Sequence, residues 1–209
     1  DLKIWDPKTT IKAQLREWKH FTMLISAMTK AGKSYLLKDI LKKIKGEFDF
    51  IVVFSKTLEA GGYDYLDTKI KFDYFNDEVV RDLKNAYYKK VEESDGKIKF
   101  KTLIIIDDCI TNNFKYNETI SELFMSGRHW QCSVVILGQK CSLLSTIWMA
   151  NTTIFVSMFC GSKREKLYIA ENILSNVINE ESREINFAAD DRASYNLQTD
   201  ICKNFWALI

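Results

Sequence analysis

Ala27-Met28-Thr29-Lys30-Ala31-Gly32-Lys33-Ser34 is the stretch whose reading decides the fold of this 209-residue chain. An apolar run over 21–25 leads into it, and a helix-like segment over 35–44 follows, opening on Tyr35. A strand that turns through small residues ending in Gly-Lys-Ser and then enters a helix is suited to holding phosphate. The backbone N–H groups of the loop and of the helix N-terminus converge on phosphate oxygens. In this reading Ala27, Met28, Thr29, Lys30, Ala31, Gly32, Lys33, Ser34 and Tyr35 form a nucleotide-binding loop. Lys33 would neutralise the β- and γ-phosphates, and the Ser34 hydroxyl would join a Mg²⁺ shell. The loop is poor in glycine, with Ala27 at the usual first glycine and only Gly32 remaining. Alanine fits where φ stays negative, so positive φ is not expected at Ala27 or Ala31.

A second motif, Thr102-Leu103-Ile104-Ile105-Ile106-Asp107-Asp108, is a buried-strand pattern ending in two adjacent carboxylates. Consecutive bulky apolar residues suit a strand covered on both faces, as in a parallel sheet. Ligands of open α/β sheets bind beyond the carboxyl ends of the strands, so both acids are expected at the site. Asp107 would hold Mg²⁺ directly or through water, and Asp108 would orient an attacking water. The plain alternative is a solvated turn closing a core strand.

Composition describes an ordinary globular chain: 46% hydrophobic and 28% charged residues, with a formal net charge of +2. That balance does not announce a nucleic-acid binder, so any basic contact surface must be local. Five cysteines form no CxxC pair and read as reduced, packed thiols, and two histidines are too few for a zinc site. No secretory leader or membrane span is expected, because Ser145, Thr146, Asn151, Thr152, Thr153 and Ser157 interrupt the most apolar stretch.

Strand-like runs at 21–27, 51–54, 102–106, 133–138 and 153–159, with a weaker one at 69–75, alternate with helical patterns at 33–45, 77–93, 117–126 and 163–178. The last helix is expected to bury a stripe through Leu167, Ala170, Ile173, Leu174 and Val177. The tail over 193–209 is expected to add edge strands. Such alternation predicts a mostly parallel α/β sheet flanked by helices, with an N-terminal helical extension over 1–20 and one domain over 21–209. The long stretch between Lys33 and Asp107 allows other strands to intervene, and the second acid at Asp108 favours a motor-type order with another strand between the loop strand and the acidic strand.

Downstream lies Phe124-Met125-Ser126-Gly127-Arg128-His129-Trp130-Gln131-Cys132-Ser133, then a strand ending in Gly138-Gln139, then Ala150-Asn151 before another strand. A Gly-Arg before a strand that ends in Gln, in this order after the two earlier motifs, resembles the FtsK–HerA superfamily of DNA-pumping P-loop ATPases. Within it, the string is most similar to the genome-packaging ATPases of poxviruses, other large DNA viruses and virophages. The resemblance covers roughly 22–173 and implies a RecA-like core, ATP with Mg²⁺ as ligands, and a homo-oligomeric ring, most simply a hexamer. It further implies double-stranded DNA as partner, a capsid vertex protein as a candidate second partner, and work in the host cytoplasm or viral factory with virion association. Gln139 matches the family's polar sensor; an amide can report on the γ-phosphate or lytic water. Arg128 matches an arginine finger delivered to a neighbouring subunit. A local salt bridge of Arg128 with Glu122 is the competing view, and Arg164 is the substitute finger.

Lys84, Lys89, Lys90, Lys97, Lys99 and Lys101 cluster in one region, and Lys97, Lys99 and Lys101 are the candidate DNA contacts. Interleaved acids make a solvated helix and charged loop the plainer reading, and the aromatic segment over 63–75 is an alternative surface. Two other functions stay open: a small-molecule phosphotransferase, and a nucleotide-gated scaffold with little turnover. Plasmid transfer or chromosome segregation also fits the same superfamily.

Overall fold

Among the described residues six strands form one sheet: β1 (Thr22–Ser26), β2 (Phe50–Ser55), β3 (Lys71–Phe72), β4 (Thr102–Asp107), β5 (Cys132–Gly138) and β6 (Ile154–Ser157). Their spatial order is β3-β2-β4-β5-β1-β6, and every pairing is parallel. The computed structural model describes residues 6–109, 114–158 and 162–172. The expected α/β sheet is therefore present, and parallel throughout the described residues rather than mostly so. β5 separates β1 from β4, which is the motor-type order expected from the second acid at Asp108. The weak strand at 69–75 shrinks to two residues, and the tail strands expected over 193–209 lie outside the described residues.

The two-residue period of the strands divides the core into two layers. Leu24, Val52, Phe54, Ile104, Ile106, Val134, Ile136 and Phe155 face one side. There they meet α3 (Asp77–Glu93), α4 (Glu118–Ser126) and α5 (Thr146–Ala150) through Val80, Tyr87, Ile120, Leu123, Phe124 and Trp148. Met23, Ile25, Val53, Leu103, Ile105, Val135, Leu137 and Val156 face the other side, covered by α1 (Pro7–Glu17) and α2 (Lys33–Ile44). Ile11 and Leu15, one helical turn apart, insert α1 into that second layer.

Local signals set the helix starts. Asp6 accepts from the N–H groups of Lys8 and Thr9 ahead of Pro7, Asn76 from Glu78, Asn117 from Ile120, and Ser145 from Ile147. Such caps stabilise a helix start by about 1 kcal/mol each. α2 differs: its N-cap is Gly32, at φ 96°, with no side-chain cap.

One expectation fails in α6 (Lys163–Asn172). Leu167, placed on the buried stripe by its spacing, is exposed, and Ile169 is buried instead. The Glu165 carboxylate accepts from the backbone N–H groups of Cys141 and Ser142 in the turn after β5. That contact fixes the helix rotation, and Ile169, four residues on, shares the inward face. The remainder of the expected stripe is not among the residues whose side chains are described.

Gly127 and His20 pack together at the amino ends of the strands. A Cβ on Gly127 would lie 2.7 Å from the Cys132 carbonyl oxygen and 3.6 Å from His20 Cδ2, so the glycine of the Gly-Arg pair serves a close backbone approach. Gly127→Ala is expected to destabilise the fold by about 1–3 kcal/mol, read as a lower urea midpoint with an unchanged slope. Burial lowers the His20 pKa to about 4 from 6.5, with the Arg128 and His129 charges acting in the same direction. Between these values the unfolded chain binds a proton that the folded chain refuses. Stability from this site is thus complete above about pH 6.5 and is lost as pH falls toward about 4. His20→Phe should flatten that part of the stability–pH curve in chemical denaturation.

Candidate functional site

The register of the sheet brings three strand ends to one rim. Ser26 of β1 lies beside Gly138 of β5, and Asp107 of β4 beside Leu137 of β5. The residues that follow these ends are the phosphate loop, Asp108 and Gln139, so the three motifs converge.

The loop over 27–32 leaves β1 with the Ala27 N–H donating to the Gly138 carbonyl. Positive φ occurs at Lys30 (64°) and Gly32 (96°), while Ala27 and Ala31 avoid it. The loop therefore turns with a single glycine because the left-handed positions fall elsewhere than on its alanines. Gly32 has no side chain to cap α2, so the first N–H groups of that helix stay open toward the loop, together with the positive end of the helix dipole. Lys33 is 9% exposed, and its ammonium donates to the carbonyl oxygens of Ala27 (3.0 Å) and Met28 (3.5 Å). Ser34 is exposed beside it, and Tyr35 is 83% exposed. Open N–H donors, an ammonium and a hydroxyl at one helix start are a donor set for a polyphosphate.

The two acids take different environments. Asp107 is 2% exposed. Burial pushes its pKa above the ordinary carboxylate value; the Tyr63 hydrogen bond opposes this, the Asp108 charge adds to it, and the Lys33 charge opposes it. Asp108 leaves the strand at φ 53°, an uncommon conformation for a residue with a side chain, though one that Asp tolerates better than most. That turn carries its half-buried carboxylate to Gln139, whose Nε2 donates to Asp108 Oδ1 at 3.2 Å. An acid able to orient water thus touches an amide able to sense phosphate. A buried carboxylate at this rim, under the influence of the Lys33 charge, and the exposed Ser34 hydroxyl next to Lys33 are the kinds of oxygen donor a divalent cation takes, so Asp107 and Ser34 fit as its ligands.

Tyr63 escaped the sequence reading, which placed it on a candidate DNA surface. It is 2% exposed, and its hydroxyl donates to Asp107 Oδ2 at 2.8 Å. Burial, then the Asp107 charge, raises the Tyr63 pKa, so the hydroxyl stays protonated as a donor. The Lys71 ammonium is likewise engaged, donating to the Tyr63 carbonyl oxygen. Of the 63–75 surface, Lys69 and Tyr74 stay exposed among its basic and aromatic residues. No local pattern marks Tyr63; its role comes from a connection folding back over β4.

The remaining candidates lie elsewhere. Arg128, in a 3-10 turn just before β5, is exposed on the opposite rim. Glu122 does not pair with it, because the Lys84 ammonium occupies that carboxylate. Lys97 and Lys99 are exposed in the segment leading to the amino end of β4, again on the opposite rim, whereas Lys101 is half-buried. The Lys101 backbone N–H donates to the Asp49 carboxylate. Arg164 is exposed in the first turn of α6, after the carboxyl end of β6. Among the described residues no helix is long and apolar enough to cross a membrane.

Comparison with known proteins follows the same lines. Residues 10–186 match the family model described as Poxvirus A32 protein. Uncharacterized protein 015R of Frog virus 3 (isolate Goorha) is 30% identical over 112 residues, which cover 52% of this chain and 34% of that protein. The chain thus spans about a third of the length of this relative. The genome packaging NTPase B204 from Sulfolobus turreted icosahedral virus 2, in complex with ATP-gammaS, has a similar structure at TM-score 0.57 and 17% identity. The match covers 76% of this chain and 84% of that one. EssC (ATPases 2 and 3) from Geobacillus thermodenitrificans gives TM-score 0.55 at 11% identity, covering 71% of this chain and 34% of that one. At such identities these structures speak to the fold alone, a parallel α/β core. The resemblance to packaging ATPases read from the motifs is borne out, and the chain belongs to the Poxvirus A32 protein family.

Proposed function

We propose that this chain is an ATPase subunit of a ring that moves double-stranded DNA, packaging a viral genome into a capsid. The observation that carries the hydrolytic part is the contact of Gln139 with Asp108 beside the uncapped start of α2. It pairs a water-orienting acid with a phosphate-sensing amide, which a passive scaffold does not need. The packaging part rests on the family and on the similar fold of a viral genome packaging NTPase.

Each residue has a role in this reading. The N–H groups at the start of α2 bind the phosphate oxygens, and Lys33 leaves the Ala27 and Met28 carbonyls to neutralise their charge. Ser34 and Asp107 would hold Mg²⁺, which would supply neutralisation of the phosphate charge. Asp108 accepts a proton from the attacking water and aligns it with the γ-phosphorus. Gln139 exchanges its contact with Asp108 for one to the γ-phosphate or the water, and so reports which is present. The Arg128 guanidinium, on the opposite rim and without an ion-pair partner among the described residues, serves the site of an adjacent subunit rather than its own. Lys97 and Lys99 offer phosphate contacts that need not read sequence.

Lys33→Ala should reduce ATP turnover at least about 100-fold without changing the far-ultraviolet spectrum; undiminished turnover would remove the loop from the site. Asp108→Asn should keep nucleotide binding and slow hydrolysis by about 10²–10⁴-fold, measured by phosphate release. Rings of Arg128→Ala subunits alone and of Lys33→Ala subunits alone should both be inactive. Mixed rings should regain some turnover, because an intact loop then meets an intact finger. A failure to recover in rings shown to be mixed would assign Arg128 a structural role. Stimulation of turnover by double-stranded DNA, without phosphate transfer to nucleosides, separates this reading from a phosphotransferase.

A further inference from the structure

The connection between β2 and β3 reaches past β2 to the end of β4 and touches Asp107. Within it the N–H groups of Ala60 and Gly62 donate to the Thr57 carbonyl, closing a turn that sets Tyr63 over the end of β4. Tyr63 is anchored at both its backbone and its ring. The Lys71 ammonium holds its carbonyl oxygen at 2.9 Å. Its ring stacks near Tyr65, with centroids 5.9 Å apart, and the Lys38 ammonium of α2 sits 5.1 Å over the Tyr65 ring. The connection is therefore stapled to the helix that begins in the phosphate loop. From that support the Tyr63 hydroxyl donates to Asp107 Oδ2.

A carboxylate at a strand end rotates broadly about its last torsion unless a partner fixes it. A cation site needs that rotation stopped, and losing a group that orients a ligand costs about 10–100-fold in metal affinity. We propose that Tyr63 is a positioning residue, holding the Asp107 carboxylate in one orientation for the divalent cation that accompanies ATP. This rests on the reading of Asp107 as the cation's carboxylate. Packing alone does not account for the hydroxyl: phenylalanine would fill the same buried space without bringing a polar group that must be satisfied.

The test is Tyr63→Phe in the full chain, with Mn²⁺ as the probe and ATPγS as the nucleotide, read by electron paramagnetic resonance of bound Mn²⁺. Mn²⁺ affinity of the nucleotide complex should fall about 10–100-fold with a changed line shape, while metal-free ATPγS affinity stays the same. A parallel Asp107→Asn variant should lose Mn²⁺ affinity at least as strongly. If Asp107→Asn leaves Mn²⁺ binding intact, the assignment of Asp107 fails and the inference fails with it. If Asp107→Asn weakens Mn²⁺ and Tyr63→Phe does not, the functional reading stands and Tyr63 is a packing residue. Equal losses of Mn²⁺ and of metal-free nucleotide in Tyr63→Phe would also overturn the positioning role, since a loosened loop would weaken both.

Discussion

Parallel hydrogen bonding between β4, β5 and β1 is the constraint on which the rest of this protein depends. Strands that all run one way must put all their carboxyl ends on one rim, and the ladder pairs fix how far each end reaches. Here Asp107 lies level with Leu137, and Gly138 with Ser26. The next residues along each chain are then the acid, the amide and the phosphate loop. A slip of one residue in β4 would turn its side chains to the opposite faces and break both hydrophobic layers, so the site geometry is protected by the core itself.

The rim concentrates features that would be costly elsewhere. Asp107 is buried with its charge only partly balanced, the start of α2 has no side-chain cap, and Lys30 and Asp108 occupy left-handed conformations. A left-handed residue with a side chain costs about 1–2 kcal/mol relative to the right-handed form. The two apolar layers supply the offsetting stability, because every central strand position is covered on both sides. Such strain is retained where it aims a group: the turn at Asp108 sends its carboxylate to Gln139, while Asp107 stays directed at Tyr63.

The amino-end rim has a different character. Gly127 permits close passage of the chain by Cys132, His20 is held neutral by burial, and Arg128 stands exposed beside them. A cation there is a full sheet length from its own phosphate loop. In the proposed ring, a site would be completed between subunits, with one rim of a subunit meeting the other rim of the next. Lys97 and Lys99 share that rim, which links the proposed finger and the proposed DNA contacts through the same end of the sheet.

The strands, most helices, the Gly-Lys-Ser turn before α2, the acids at the end of β4 and the place of Gln139 after β5 were legible in the residues because each is local. Hydrophobic period, a Gly-Lys-Ser turn and acids at a strand end are determined within a few neighbouring positions. The insertion of β5 between β1 and β4 was legible only as a preference, inferred from the second acid at Asp108. Tertiary structure alone decided the partner of each side chain. Tyr63 reaches Asp107 across 44 positions of chain, Lys84 takes the Glu122 carboxylate, and Glu165 rotates α6 so that Ile169 rather than Leu167 faces inward. Such contacts join residues remote in sequence, and no local periodicity encodes them. They arise when the packed sheet brings a loop and a strand end within reach of one hydrogen bond.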